Sequence, residues 1–346
     1  MQKLAPLNKT ICLVAGGSGG HITPALRLGK QHLEQTPHGS LLFFCNTRKL
    51  DQAILANYDQ PIQIVRLKLT NLPGKKIWRY PLFFLQFAHS FFKSFHFLKK
   101  QKPCVIISTG GIIAIPVCLA GKLLSIPVEL HEFNVIPGKA TRFLSPVAKK
   151  IFISFQKSTK FFKSKYQNKC SLEKYPLRFS VHDTTSPITR PPHFSSGRKT
   201  IFLLGGSQGS LLLNNMIKEF IQTNQYIGSI QVIHQTGSID QTNWKKFYEQ
   251  HNIPAHIFEY TNSIKDFYRL ADLVICRAGA GTLFELEFFQ KRSLLVPLKN
   301  HASNHQITNA HEMCQRHPNL FFLCDQDSQN PLRSVIYDHL LSNLVE

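Results

Sequence analysis

The sequence predicts an α/β protein built from two doubly wound parallel-sheet domains, and three observations lead there. Apolar, β-rich runs alternate with longer helical patterns along all 346 residues. The runs lack polar alternation, as strands buried on both faces do. A chain of this length exceeds one ordinary hydrophobic core and suits two.

In the first half the strand runs are TICLVAGG (10–17), SLLFFCN (40–46), IQIVRLKL (62–69), CVIISTGG (104–111), PVELHE (127–132) and KIFIS (150–154). In the second they are TIFLLGG (200–206), IQVIHQTG (230–237), HIFEY (256–260), LVICRAG (273–279) and SLLVPL (293–298). Between the halves, PLRFSVHDTTSPITRPPHFSSGRK (176–199) is rich in Pro, Ser and Thr and follows neither period. It reads as a linker between a domain over 1–175 and another over 200–346. TICLVAGGSGG at 10–20 is echoed by TIFLLGGSQGS at 200–210, each opening its own domain. LRSVIYDHLLSNLVE closes the chain as an expected last helix.

Composition narrows the function. The formal net charge of +21 implies an anionic neighbour: nucleic acid, a membrane surface or a phosphorylated substrate. The eight cysteines are scattered, without a CxxC pair or metal-ligand spacing to histidine, which points to reduced thiols. The first strand starts too early for a charged n-region and an apolar h-region to precede it, so no signal peptide is expected. DQD at 325–327 looks like a metal-binding DxD but sits near the chain end. No metal or other cofactor is expected.

Three segments share one design, a strand ending in small residues before a helix: AGGSGGH (15–21), GGSQGS (205–210) and CRAGAGTLFELEFF (276–289). Glycine allows close backbone approach, and a helix N-terminus presents N–H groups and partial positive charge to phosphate. None matches the GxxxxGK[ST] pattern or the full GxGxxG fingerprint with its acidic partner. A bound diphosphate is therefore favoured over a hydride carrier. Glu285 is expected in the first turn after the third loop, where a carboxylate complements the helix dipole and can accept from ribose hydroxyls. NHASNHQITNAH (300–311) crowds amide and imidazole groups after a strand, a placement suited to sugar hydroxyls.

In this order GGSGGHITPAL, HEFNVIPGKATRFL (131–144), GGSQGS, HQTG (234–237), RAGAGTLFELE (277–287) and HQITNA (305–310) resemble the MurG family of peptidoglycan glycosyltransferases over nearly the whole chain. The resemblance implies the GT-B architecture, two Rossmann-like domains facing a central cleft. It also implies an inverting transfer of N-acetylglucosamine from UDP-N-acetylglucosamine to lipid I, forming lipid II. By the same resemblance His21 is the candidate general base, and Ser18, Gly19 and Gly20 lie against the donor diphosphate. Asn134 is at the sugar side, Arg178 and Ser207 near the diphosphate, and Thr261 at uracil. Ala280, Gly281, Thr282, Leu283, Phe284 and Glu285 cover diphosphate and ribose, and Gln306 reaches the sugar. Gly110 and Gly111 fall on the acceptor side. A helix N-terminus would depress the proton affinity of His21, favouring the neutral imidazole that a base requires.

The chain departs from the family pattern at Phe133 in HEFN, at KYPLR before Arg178, at Ile112 and Ala114 in GGIIA, and at Gln290, Lys291 and Arg292. Most departures lie in the first half, so the resemblance speaks more directly to donor than to acceptor. Another GT-B transferase or an epimerase, or a basic nucleic-acid-binding protein without catalysis, are the alternative readings. KKIWRYPLFFLQFAHSFFKSFHFLKK (75–100) joins aromatic and apolar residues to Lys75, Lys76, Arg79, Lys99 and Lys100, too broken for a spanning helix. It reads as interfacial, for an anionic bilayer surface on the cytoplasmic face of the inner membrane. Basic residues concentrated beside an apolar segment argue against a nucleic-acid groove.

Overall fold

The computed structural model describes residues 10–324 except 18, 37, 57, 207–208, 224–227, 262 and 299–303. Ser18, Ser207, the DQD triplet and the expected last helix lie outside the described residues. The chain forms two compact units, Met1–Arg178 and Phe179–Glu346.

The first unit runs β1 (Thr10–Ala15), α1 (Gly19–Gln35), β2 (Ser40–Asn46), α2 (Lys49–Ala56) and β3 (Ile62–Leu67). A 3₁₀ turn at Ile77–Arg79 leads into α3 (Tyr80–Gln101), followed by β4 (Val105–Gly110), α4 (Ala114–Leu123), β5 (Val128–Glu132) and α5 (Lys139–Leu144). β6 (Lys150–Ile153), α6 (Ser164–Gln167) and β7 (Cys170–Leu172) complete it. Its strands are all parallel in the order β3-β2-β1-β4-β5-β6-β7. β1 shows why they read as unbroken apolar runs: Ile11, Leu13 and Ala15 pack with Ile22, Ala25 and Leu26 of α1. The intervening Cys12 and Val14 pack on the other face, against Val117 and Leu98 of α4 and α3.

The second unit runs α7 (His182–Thr185), β8 (Lys199–Leu204), α8 (Leu211–Thr223), β9 (Ile230–Gln235), α9 (Trp244–Gln250) and β10 (Ala255–Phe258). It continues through α10 (Lys265–Leu270), β11 (Leu273–Cys276), α11 (Ala280–Phe288), β12 (Ser293–Leu295), α12 (His305–Arg316) and β13 (Phe321–Leu323). Its parallel order is β10-β9-β8-β11-β12-β13. Ile201 and Leu203 of β8 pack with Ile217 and Phe220 of α8. Phe202 turns the other way, onto Phe267 and Tyr268 of α10.

Every apolar run of the sequence overlaps a strand, β8 and β10 each starting one residue before its run. β7 and β13 do not stand among those runs: each is a three-residue edge strand, too short to carry a pattern. The segment 176–199 divides at 178/179. Its second part is strapped to the second unit, with Thr189 N–H donating to Asp266 Oδ2 at 3.2 Å and Ser195 N–H to Gln231 Oε1 at 3.0 Å.

α3 has two apolar faces and buries only one. Phe83, Ser90, Ser94 and Leu98 face the core. Leu85 (69 % exposed) and Phe92 (68 %), with Leu82 and Phe84, face outward, just after exposed Trp78 (71 %).

Candidate active site

In both units the strand order reverses beside the first strand of the sheet, and the loops leaving the two strands at that point carry the glycine motifs. Such a switch point is where doubly wound sheets bind ligands.

In the first unit the switch lies between β1 and β4. Gly16 and Gly17 leave β1, and Gly110 and Gly111 close β4. Gly111 has φ +92°, and a Cβ there would stand 2.5 Å from the carbonyl oxygen of Gly16. Only glycine allows the two loops to cross at that distance. α1 starts at Gly19 and places His21 in its first turn, with Gly19 and Gly20 just before it. Thr109 Oγ1 donates to the His21 carbonyl at 2.8 Å. The imidazole lies against Gly110, where a Cβ would meet its Cε1 at 3.0 Å. His21, Gly17 and Gly111 share a cavity of about 220 Å³ with Arg48 and Asn71. Predicted base and predicted acceptor glycines therefore meet at one place.

Pro24 cannot donate to the Gly20 carbonyl, so the first turn of α1 retains a backbone acceptor beside its N–H groups. Asp51, fully buried, anchors the loop from behind. Its Oδ2 accepts from Gly17 N–H at 3.4 Å and Asn46 N–H at 3.2 Å.

Asn134 follows β5 and is held by Glu132, whose Oε1 accepts from the Asn134 backbone (3.0 Å) and side-chain (3.1 Å) nitrogens. Glu132 Oε2 accepts from Gly138 N–H at 2.9 Å, so one buried carboxylate ties both ends of the 133–138 loop. Phe133, the departure in that motif, is buried edge-on against Tyr175, away from solvent. Arg178 ends the first unit. Arg27 Nε of α1 donates to the neighbouring Leu177 carbonyl at 2.9 Å and fixes that approach.

In the second unit the switch lies between β8 and β11. Gly209 has φ +78°, and a Cβ on it would come within 2.5 Å of both Gly237 Cα and the Thr236 carbonyl oxygen. The HQTG segment thus lies directly behind the second glycine loop. A buried network holds it there. Asn214 Nδ2 donates to the Thr236 carbonyl (3.0 Å) and to Asp240 Oδ2 (2.7 Å), which turns its Oδ1 toward His234 Nε2 at 3.0 Å. An amide oxygen only accepts, so His234 carries its proton on Nε2, and its Nδ1 accepts from the Tyr248 hydroxyl at 3.0 Å. Burial pulls the His234 imidazole down to about 3, which keeps it neutral.

Arg277, the first residue after β11, joins the strand ends of this site. Its Nη2 donates to Ser210 Oγ at 2.9 Å and its Nη1 to the Val296 carbonyl at 3.0 Å. α11 follows with Gly279 as N-cap. Leu283 N–H already bonds the Gly279 carbonyl, so Ala280, Gly281 and Thr282 present the N–H groups at that helix start. The side chains of Leu283 and Phe284 are buried.

The expectation for Glu285 needs correction. It is the sixth residue of α11, in the second turn, and the first turn holds no acid. A dipole effect fades within one turn, so it does not account for this carboxylate. Glu285 is instead buried, with Oε2 accepting from the Tyr268 hydroxyl at 2.8 Å. Thr261 Oγ1 accepts from Ser263 N–H at 3.2 Å. Gln306, in the first turn of α12, accepts through Oε1 from Leu298 N–H at 2.9 Å.

Arg48, Asp51, Glu132, Asn214 and Arg277 were not singled out from sequence. Arg277 and Glu132 did leave a signal, a charge set directly at the end of a buried strand. The partners of Asp51 and Asn214 lie in other loops, and sequence spacing carries no trace of them.

Family models agree with both halves. The glycosyltransferase family 28 N-terminal domain matches residues 11–153 and the family 28 C-terminal domain matches residues 200–344. A UDP-N-acetylglucosamine-N-acetylmuramyl-(pentapeptide) pyrophosphoryl-undecaprenol N-acetylglucosamine transferase of Pelagibacter ubique is 32 % identical over 307 residues, spanning 88 % of this chain and 82 % of the relative. The enzyme of that name from Myxococcus xanthus is 28 % identical, spanning 90 % and 79 %. The crystal structure of MurG from Acinetobacter baumannii superposes with a TM-score of 0.70 at 23 % identity, covering 97 % of this chain and 91 % of that one. Two family 28 domains in order, each on its own parallel sheet, and a relative matched over most of both lengths establish that the chain belongs to the MurG family of GT-B glycosyltransferases.

Proposed function

We propose that this chain transfers N-acetylglucosamine from UDP-N-acetylglucosamine to lipid I, the muramyl-pentapeptide pyrophosphoryl-undecaprenol acceptor, and so forms lipid II. The observation that carries the reading is the position of His21: in the first turn of α1, packed on Gly110, inside the switch-point cavity of the first sheet. The acceptor's sugar hydroxyl attacks the anomeric carbon, His21 takes the hydroxyl proton, and the bond from that carbon to the UDP oxygen breaks with inversion. The negative charge that develops on UDP is met by N–H groups at helix starts, including Ala280, Gly281 and Thr282 of α11.

The first unit, with Gly110 and Gly111, takes the acceptor. The second unit takes the donor through Ser207, Thr261, the start of α11, Glu285 and Gln306. Arg178 and Asn134 complete the donor contacts. Ser18, Gly19 and Gly20 meet the donor diphosphate. The enzyme works as a peripheral protein on an anionic membrane surface at the cytoplasmic face, resting on the outward face of α3. Among the described residues no helix is long and apolar enough to cross a membrane. The exposed Leu82, Phe84, Leu85 and Phe92, flanked by Lys75, Lys76, Arg79, Lys99 and Lys100, suit the bilayer interface.

Mass spectrometry of the product made by the purified full-length chain from UDP-N-acetylglucosamine and a lipid I analogue tests the activity. A gain of one N-acetylhexosamine on the muramyl sugar is the expected result. An unmodified acceptor, with donor consumed or not, overturns it.

A further inference from the structure

The cavity beside the first glycine loop holds a cation to which the mechanism above gives no task. Arg48, after β2, is exposed, and among the described residues its guanidinium donates only to neutral acceptors. Nη1 donates to the Gly17 carbonyl at 3.5 Å and Nη2 to Asn71 Oδ1 at 3.4 Å, both at the long limit for a hydrogen bond. These two contacts leave most of the guanidinium's N–H donors unused. Among the described residues no carboxylate stands within ion-pair distance of it. Asp51, three residues on, spends its Oδ2 on Gly17 and Asn46 N–H groups; it fixes the loops on either side of Arg48 without forming an ion pair with it. The guanidinium is thus positioned, without an ion-pair partner among the described residues, and in one cavity with the His21 ring. At about 220 Å³ that cavity lies below the usual size for a whole small-molecule ligand and suits one compact group. A planar guanidinium fork matches phosphate oxygens.

We propose that Arg48 is a specificity-determining residue that holds a diphosphate oxygen of the lipid-linked acceptor beside His21. The inference rests on the acceptor role given to the first unit above. In that acceptor the diphosphate adjoins the reacting sugar, so clamping it sets where the sugar hydroxyl falls relative to the imidazole. UDP carries a diphosphate too, and the test must separate the two sources.

Farnesyl diphosphate is titrated calorimetrically into the full-length protein already saturated with UDP, and UDP is titrated separately, for wild type, Arg48→Ala and Arg48→Lys. Arg48→Ala should weaken farnesyl diphosphate binding roughly 10- to 100-fold, the scale of a charge-assisted contact, with UDP affinity within about twofold of wild type. Arg48→Lys should recover part of the loss. In turnover, the acceptor KM should rise while that for UDP-N-acetylglucosamine holds. Unchanged farnesyl diphosphate affinity overturns the proposal, and so does a loss confined to UDP. If wild type makes no disaccharide yet its diphosphate binding still depends on Arg48, the acceptor reading has failed and the phosphate contact stands. Normal turnover with binding and acceptor KM indifferent to Arg48 overturns this inference alone.

Discussion

His21 lies in the first turn of α1 and Glu285 in the second turn of α11, and the two stand in different surroundings. His21 is half-buried in an open cavity, and a base placed there contributes about 10²- to 10⁴-fold in rate. His21→Ala should lower turnover by that order while UDP affinity and thermal midpoint stay near wild type. A fall of less than tenfold, or one in proportion to lost folding, would place the base elsewhere. Glu285 is buried on Tyr268. Glu285→Ala should weaken UDP-sugar binding by roughly 1 to 3 kcal/mol and also lower the thermal midpoint, because the Tyr268 hydroxyl loses its acceptor. Glu285→Gln keeps an acceptor and should restore more of the stability than of the affinity. Calorimetry and thermal melts on the same samples separate the two effects, and full UDP-sugar affinity in folded Glu285→Ala would remove the ribose role. The identity of both residues was legible in their motifs. The burial of Glu285 was not, because Tyr268 reaches it from a different helix.

At the scale of the element, α3 carries the sharpest expectation. A helix apolar on both faces belongs in a core or a membrane, and α3 buries one face only. Each large side chain left in water forgoes roughly 1.5 to 3 kcal/mol of burial, a cost that an acyl interface removes. Cations at both ends of the helix add on the order of 1 kcal/mol each near an anionic surface. The protein should float with anionic vesicles, detach partly at high salt, and lose most of its binding in a Leu85→Ser, Phe92→Ser double variant that keeps its thermal midpoint. Equal flotation with neutral and anionic vesicles would dismiss the electrostatic part, and full binding by the double variant would dismiss the helix. The sequence marked this stretch as interfacial through its broken apolar character. Which of its aromatic residues face inward became visible only once Phe83 and Leu98 were seated on the first sheet.

At the scale of the whole molecule, two buried imidazoles among the described residues make stability depend on acid, and burial lowers His256 in the same direction. Burial pulls His131 down to about 4 and His234 to about 3, from 6.5 when exposed. Between 6.5 and those values the unfolded chain binds protons that the folded chain refuses, so stability must fall as pH falls. Each histidine contributes at most about 1.4 kcal/mol per pH unit over its window. Glu129 and Glu173, whose carboxyls burial pushes up, act in the opposite direction at the acid end. The thermal midpoint should therefore drop steadily from about pH 6.5 to 5, and a His234→Gln variant, destabilised at neutral pH, should show a shallower slope. A flat wild-type profile over that interval would contradict a neutral, buried His234.

The sequence by itself determined the class of fold, because a strand buried on both faces must be apolar throughout and leaves an unbroken run wherever it occurs. It also determined where the glycine-rich loops at the strand ends fall, since glycine is required where Gly111 passes Gly16 and where Gly209 passes Gly237. Only the tertiary structure decided which loops meet. The sheet order brings β4 beside β1 and β11 beside β8 across intervals of sequence that carry no distance information. The grouping of Arg48 and Asn71 with His21, and the anchoring of HQTG by Asn214, depend on that order. Contacts between side chains far apart in the chain are set by packing, and packing leaves no period in the residues that make it.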